Sequence, residues 1–263
     1  MSNINKSPIL IFGASGAIGS SAAYVLKKNK YNLLLSNSKN NKDIKSLSEK
    51  LKSPYFSFNF DKKLTKKQLE NKIVKHTSSL QGLIISIAKP FPNKLIQNTE
   101  DFIFEEQINI HLLALHKIIR SCLPLLERAK SFCTPRIIYI SSEYLIGSPP
   151  VKIAPYIAAK SASTSYIKIL AKELIKKDIR VFILSPGMIK SNLTSNIPEE
   201  YFKVIKKKRG RKKKVEQIVV SDEELNIEND EIRGELFKTK DGNIILKGYD
   251  GKYYNLLNGA EIT

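Results

Sequence analysis

Long apolar runs, cysteine and histidine are all scarce in this sequence, and each scarcity removes a class of protein. No stretch approaches the roughly 18 apolar residues at which a membrane-crossing helix becomes a candidate. The first residues, Met1 to Lys6, lack the charged-then-apolar layout of a secretory leader, and the run from Ile9 to Phe12 is only strand-sized. A soluble, cytoplasmic protein with no membrane span is therefore expected. The two cysteines, Cys122 and Cys133, fit neither a zinc spacing nor a disulfide framework, and the three histidines lie far from any cysteine pair. No metal site is expected.

What is present is a chain of 263 residues, 42% of it apolar, enough to bury a core as one large α/β domain or two small ones. The formal charge of +19 comes mostly from lysine spread through Asn-, Ile- and Ser-rich sequence, a general compositional bias. One concentration differs: Lys203 to Lys214 is dense in Lys and Arg and contains no acid. Acidic residues follow it, among them Asp222, Glu223, Glu224, Glu228, Asp230, Glu231 and Glu235. Two readings stand for these blocks: solvated or loosely paired charge, or a surface for an anionic ligand or nucleic acid. Nucleic acid is the less favoured, since no aromatic residue is interleaved for stacking on bases.

Short apolar runs alternate with helical patterns along most of the chain. Pro8 to Phe12 reads as a central parallel strand and ends at the turn Gly13-Ala14-Ser15-Gly16-Ala17-Ile18-Gly19, which passes into a helix. Small residues there expose backbone N–H groups and a helix N-terminus to an anion such as a pyrophosphate. The second strand, Leu33-Leu34-Leu35, ends at Ser36-Asn37-Ser38-Lys39 with no carboxylate. A dinucleotide's adenosine ribose would lie at that strand end, so NADP is favoured over NAD, with Ser38 and Lys39 as contacts unless both are solvated turn residues. Tyr55 to Asp61 alternates as a third strand, with Asn59 and Phe60 at a plausible adenine edge. Lys62 to His76 reads as a helix that buries Leu64, Leu69 and Ile73, and Gly82 to Ala88 as a fourth strand.

From Asp101 to Leu126 the residues Phe104, Ile108, Leu112, Leu115, Ile119 and Leu123 recur at helical spacing, with Asn109 inside that helix and His111 and His116 read as structural. Arg136 to Ser142 forms a fifth strand and delivers Ser142 to its carboxyl end. A helix starting at Pro155 and running to about Lys177 places Tyr156 and Lys160 one turn apart on one face. A phenol is normally protonated up to a pH of about 10, and a nearby cation favours its ionised form. Ile179 to Leu184 is a sixth strand, stopped by Ser185-Pro186-Gly187. Alternation of this kind predicts an α/β fold, a three-layer Rossmann-type doubly wound parallel sheet.

These signals, in this order, resemble the shorter branch of the short-chain dehydrogenase/reductase family over about residues 7 to 194: Gly13-x-x-x-Ala17-x-Gly19, Asn109, Ile140-Ser141-Ser142, Tyr156-x-x-x-Lys160 and Pro186-Gly187. The resemblance implies an NAD(P)-dependent oxidoreductase that moves a hydride between the nicotinamide and a carbonyl or secondary alcohol. By the same resemblance Tyr156 is the acid or base, and Ser142 orients the substrate oxygen. Lys160 holds the nicotinamide ribose and lowers the tyrosine pKa, Asn109 helps seat a relay water, and Ile189 and Ser191 reach the carboxamide. Ser15, Gly16, Ala17, Ile18 and Ala88 complete the expected cofactor wall, and a homo-oligomer is implied. Phe12 stands where the family usually has threonine, and Ile85-Ser86-Ile87-Ala88 replaces the usual Asn-Asn-Ala-Gly.

Beyond Asn192 the likeness fades. The expected organisation is a core over 1–195, a charged lid or linker over 196–232, and a β-prone tail over 233–263. Asp241-Gly242, Asp250-Gly251 and Asn258-Gly259 separate short apolar runs there, a hairpin signal. The tail is either a small β-meander or carries the last strand of the main sheet. If it closes no productive pocket, the chain is instead a nucleotide-binding sensor or scaffold.

Overall fold

The computed structural model describes residues 7–38, 42–60, 65–146, 149–187, 189, 191 and 194, and the backbone of 234–238, 244–248, 253–255 and 261–262. Lys39, Asp61, Leu64 and the charged segment 196–232 with its Lys203 to Lys214 block lie outside the described residues.

Six parallel strands form one sheet: β1 (Ile9–Phe12), β2 (Leu33–Asn37), β3 (Tyr55–Ser57), β4 (Gly82–Ile85), β5 (Arg136–Ile140) and β6 (Arg180–Leu184), in the order β3-β2-β1-β4-β5-β6. Ile9 of β1 pairs with Leu33 on one side and Gly82 on the other, so β1 and β4 are the strands at which the winding reverses. Connections from these two strands leave toward opposite faces, which opens a crevice at their carboxyl ends. Every strand is a short apolar run because both faces are covered. Successive side chains point to opposite faces. Leu10, Phe12, Leu34, Leu83, Ile85 and Ile137 pack on one side with Leu69 and Ile73 of α3 (Lys66–Val74), Leu115 and Ile119 of α5 (Ala114–Ala129), and Ile167 and Leu170 of α6 (Ala154–Ile175). Ile11, Leu33, Leu35 and Ile84 pack on the other side with Ala23 of α1 (Ala17–Lys28) and Ile44, Leu47 and Leu51 of α2 (Lys42–Leu51).

Several elements differ from the expected ones, each for a local reason. The helix expected from Lys62 begins at Lys66, because Thr65 caps it: its hydroxyl accepts from the Gln68 N–H while the Gln68 side chain accepts from the Thr65 N–H. The single helix expected over Asp101 to Leu126 is broken into α4 (Asp101–Ile108), a π-helical turn over Asn109–Leu113, and α5. The wider turn rotates the apolar stripe, so Phe104 of α4 is 41% exposed whereas Leu115 and Ile119 of α5 are buried. Residues Ser86 to Ala88, Ser141 and Ser142, read as strand, follow their strands as loops. Helix α6 starts at Ala154, one residue before Pro155.

Four further strands, β7 (Gly234–Lys238), β8 (Ile244–Gly248), β9 (Tyr253–Asn255) and β10 (Glu261–Ile262), form a separate antiparallel sheet in the order β10-β9-β8-β7. Each strand pairs with the next in the chain, a meander, and Glu261 and Ile262 pair with Tyr254 and Tyr253.

Gly13 and Gly19 are required by close approach. Gly13 has φ +76° and runs beneath the Ser86 carbonyl, while a Cβ on Gly19 would strike the Gly13 carbonyl oxygen. Replacing Gly19 by alanine is expected to destabilise the protein by about 1–3 kcal/mol, read as a lower denaturant midpoint at unchanged m-value; an unchanged midpoint would show that the turn relaxes freely.

Candidate active site

Two cavities open along the carboxyl ends of the strands. The first, of about 390 Å³, is floored by Ser15, Gly16, Ala17 and Ile18 at the start of α1. Its walls come from Ser86, Ile87 and Ala88 after β4, Ser141 and Ser142 after β5, Tyr156 and Lys160 on α6, and Pro186, Gly187, Ile189 and Ser191 after β6. The second, of about 260 Å³, lies between the ends of β1, β2 and β3, and includes Gly13, Ser38, Asn59 and Phe60. The two cavities share Ser15, Gly16, Ser86, Ile87 and Ala88 as walls. Ordinary small-molecule sites have volumes of about 300–1,000 Å³.

Tyr156 is 4% exposed, with its ring clamped edge-on by Phe91 at 4.7 Å and by His111 at 5.3 Å between centroids. Burial pushes its phenol above the usual pKa, the nearby Ser142 hydroxyl opposes this, and Tyr144 raises it further. The same Ser142 oxygen accepts from the Tyr144 N–H at 3.3 Å. The depression expected from the Lys160 ammonium is not among these influences; loss of water leads, and the phenol stays protonated at neutral pH.

Lys160 is 3% exposed and donates from Nζ to the Ile140 carbonyl at 2.7 Å, with the ammonium 4.8 Å from the centroid of the Tyr139 ring. Burial alone pulls its pKa down to about 7. A buried ammonium without a carboxylate partner loses its proton far more readily than one in water.

Of the residues expected at the site, Ser15, Gly16, Ala17, Ile18, Ala88, Ser142, Tyr156, Lys160, Pro186, Gly187, Ile189 and Ser191 line the first cavity. Gly13, Ser38, Asn59 and Phe60 line the second. Gly19 is buried behind Gly13 and lines neither cavity. Asn109 is exposed on the π turn and lines neither cavity, so the structure does not bring it to Tyr156. His111, two residues later, is the side chain of that turn that meets Tyr156.

The sequence reading did not single out Phe91, Tyr144 or Thr194 on the first cavity, nor Asp43 on the second. Thr194 ties the loop after β6 together: its hydroxyl lies 2.9 Å from the Ile189 carbonyl and accepts from the Ser191 N–H at 3.0 Å. Asp43 stands in the first turn of α2, a helix whose Ile44, Leu47 and Leu51 spacing was there to be read. Among the described residues no group of His, Cys, Asp or Glu is arranged to hold a metal ion, and no helix is long and apolar enough to cross a membrane.

The Lys160 displacement has a definite pH signature. Its folded pKa of about 7 lies below the usual lysine value of 10.5, so the unfolded chain binds more protons between those values and stability from this group rises with pH across that window. Below about pH 7 the full cost of burying the charge is present. Lys160→Met is expected to stabilise the fold at pH 6 relative to wild type and to lose that advantage by about pH 10, as measured by denaturant midpoints at a series of pH values; parallel pH profiles for the two proteins would contradict it.

Comparison with known proteins places this geometry in a family. A family model described as enoyl-(acyl carrier protein) reductase matches residues 13–225. The oxidoreductase YmfI of Bacillus subtilis is 32% identical over 187 residues, covering 70% of this chain and 75% of its own. The 3-oxoacyl-[acyl-carrier-protein] reductase FabG of Rickettsia typhi is 31% identical over 199 residues, covering 76% and 79%. Among solved structures, a short-chain dehydrogenase of Shigella flexneri complexed with NADP superposes with a TM-score of 0.67 at 20% identity, covering 74% of this chain and 83% of its own. A 3-ketoacyl-(acyl-carrier-protein) reductase of Brucella melitensis complexed with NADH also gives 0.67, at 16% identity, covering 74% and 81%. With the ordered glycine turn, Ser142, Tyr156 and Lys160 around one crevice, these matches establish that the chain belongs to the short-chain dehydrogenase/reductase family.

Proposed function

We propose that the protein is an NADP-dependent reductase of a carbonyl compound, in which Tyr156 gives the proton, Ser142 holds the oxygen that receives it and Lys160 supports the pair. The observation that carries this reading is the convergence of the three side chains on the wall of one cavity.

The residues suit a dinucleotide. The turn from Gly13 to Gly19 is folded so closely that Cβ atoms at Gly13 and Gly19 would strike backbone, and the first turn of α1 carries no acidic residue and no side-chain cap on its N–H groups. On the second cavity the buried Ser36 hydroxyl has no hydrogen-bond partner among the described residues. Gly13, Ser15, Gly16, Ala17 and Ile18 would hold the pyrophosphate, Ser38, Asn59 and Phe60 the adenosine end, and Ala88, Pro186, Gly187, Ile189 and Ser191 the nicotinamide end. When bound, the nicotinamide supplies the hydride.

The protein's own part is a proton and its placement. A phenol raised above its usual pKa is protonated at neutral pH, which suits an acid in the direction of carbonyl reduction. Ser142 fixes the substrate oxygen next to the phenol, and Lys160 offers N–H donors to a ribose from beneath. Phe91, Ile87 and Ile189 give the cavity apolar walls that fit a carbon chain beside the carbonyl. Relatives named as 3-oxoacyl-[acyl-carrier-protein] reductases make a 3-oxoacyl thioester the first substrate to try. In this reading residues 1–195 are the catalytic core, 196–232 a lid or linker and 233–263 a β tail, and copies of the chain associate through the helices around Asn109 and Tyr166.

NADPH oxidation is expected with a 3-oxoacyl thioester, or with another member of a panel of ketones and keto-sugars. Tyr156→Phe should lower kcat by about 100-fold or more while leaving NADPH affinity within about twofold. Retained NADPH binding with no oxidation by any member of the panel would sink the reading.

Cofactor choice has its own test. Ser38 suits a 2′-phosphate, whereas the Asp43 carboxylate on the same wall repels one. Asp43→Asn is expected to lower the KM for NADPH several-fold with little change in kcat, measured against NADH in parallel. A KM for NADPH that stays the same or rises would remove Asp43 from cofactor selection.

A further inference from the structure

Two segments that meet at the edge of the first cavity have no part in the relay just described. After β4, Pro90 and Phe91 line the cavity, and the chain then runs outward to Leu95 and Ile96. Before α6, Ile153 is 5% exposed and packs with Phe91 and Tyr156. The Lys94 N–H donates to the Lys152 carbonyl at 3.1 Å, which joins the two segments and brings Val151 beside Leu95 and Ile96. Past the join both segments hold apolar side chains in water: Leu95 is 45% exposed, Ile96 77% and Val151 76%. Apolar side chains exposed singly need no explanation, whereas a contiguous patch with a polar border marks a binding surface. Phe91 and Ile153 thus connect Tyr156 to an apolar rim outside the cavity.

The rim is held in place. Lys152 has φ 71° and Asn93 has φ 52°, left-handed backbone at a non-glycine residue in each segment. Such conformations persist only where the surroundings fix them, and they collect at ligand clamps. The Gln107 side chain of α4 donates to the Pro90 carbonyl at 3.0 Å and pins the start of the first segment. Two of the three lysines here are neutralised, Lys94 by Glu100 at 2.7 Å and Lys89 by Glu106 at 3.1 Å. So little net charge borders the patch that an uncharged carbon chain suits it better than an acidic partner.

We propose that this rim is a second substrate subsite, which takes the far end of a long unbranched carbon chain whose carbonyl lies at Tyr156. The inference rests on the reading of the cavity as a carbonyl-reducing site, and it names the substrate class: a carbonyl compound with an aliphatic tail too long for the cavity alone. The carbonyl lies at Ser142 and Tyr156, the chain passes Phe91, and its tail lies across Leu95, Ile96 and Val151. Each methylene laid on the rim leaves water, so kcat/KM rises with chain length by up to about fourfold per methylene, mainly through KM.

The test uses the full chain, NADPH and 3-oxoacyl thioesters of one short thiol. Over straight acyl chains of about four to about twelve carbons, wild-type kcat/KM should climb at least about tenfold. Ile96→Asp, alone and with Val151→Asp, should flatten the climb and leave kcat/KM for the shortest member within about twofold. Both positions are exposed, so denaturant midpoints should stay at the wild-type value; should either variant unfold, Ile96→Ser with Val151→Ser is read in the same way. An equally steep climb in the double variant overturns the proposal, as does a wild type that reduces the shortest member, or a keto-sugar, and gains nothing from added length. A flat profile in a wild type that sediments with phosphatidylglycerol vesicles, where the double variant does not, gives the rim to a lipid surface and overturns it too. If NADPH binds and no carbonyl of any length is reduced, the reading of Tyr156 fails and takes this inference with it.

Discussion

The hydrogen bond from Lys160 Nζ to the Ile140 carbonyl, 2.7 Å long and fully buried, is the constraint on which the site depends. It ties α6 to the last residue of β5, and Ser142 lies two residues beyond that point. Tyr156, one helical turn before Lys160, is thereby held beside Ser142 instead of sliding along the sheet. The bond is costly to assemble, because an ammonium has been taken out of water with only a carbonyl dipole and an aromatic face in return. That cost appears as a lysine pKa near 7. Stability has been given up to place a donor where a ligand can use it, a common arrangement at functional sites.

The rest of the crevice follows from where the sheet changes direction. Loops after β1, β4, β5 and β6 all end at the same edge, so side chains distant in sequence line one cavity. The glycine turn can pass beneath the Ser86 carbonyl only because Gly13 and Gly19 have no Cβ. On the far side, Phe91 and His111 clamp the Tyr156 ring from two directions, which leaves the phenol little freedom to leave Ser142. Rigid placement of an acid saves the entropy that a free encounter would cost.

Much of this was legible in the residues. The six strands of the parallel sheet are short apolar runs because both faces are covered, and the glycine turn, Ser142 and Tyr156-x-x-x-Lys160 all come to the crevice. The strands were read as too long where apolar residues continue past the ladder, as in Ile87 and Ala88; those extra residues are the cavity wall. Helix α2 escaped notice because lysine and serine separate its three buried residues. The π turn left no mark in the pattern: an extra residue in one helical turn alters which side chain faces inward without altering composition. Asn109 thus stands outside the crevice, and His111 is buried against Tyr156. Asp43 depends on how the chain returns from β2 into α2, which no local periodicity reports.

The π turn also gives this fold tolerance in the length of its chain. It holds one residue more than an α-helical turn would, between α4 and α5. Removing one residue from it would let the turn close as ordinary α-helix, with the two flanking helices still in phase. Leu115, Ile119, Cys122 and Leu126 would keep their places in the interior, while the ring of His111, inside the turn, would lose its seat against Tyr156. The half of the core that rests on α5 is therefore insulated from a change of length that the wall behind Tyr156 would feel at once.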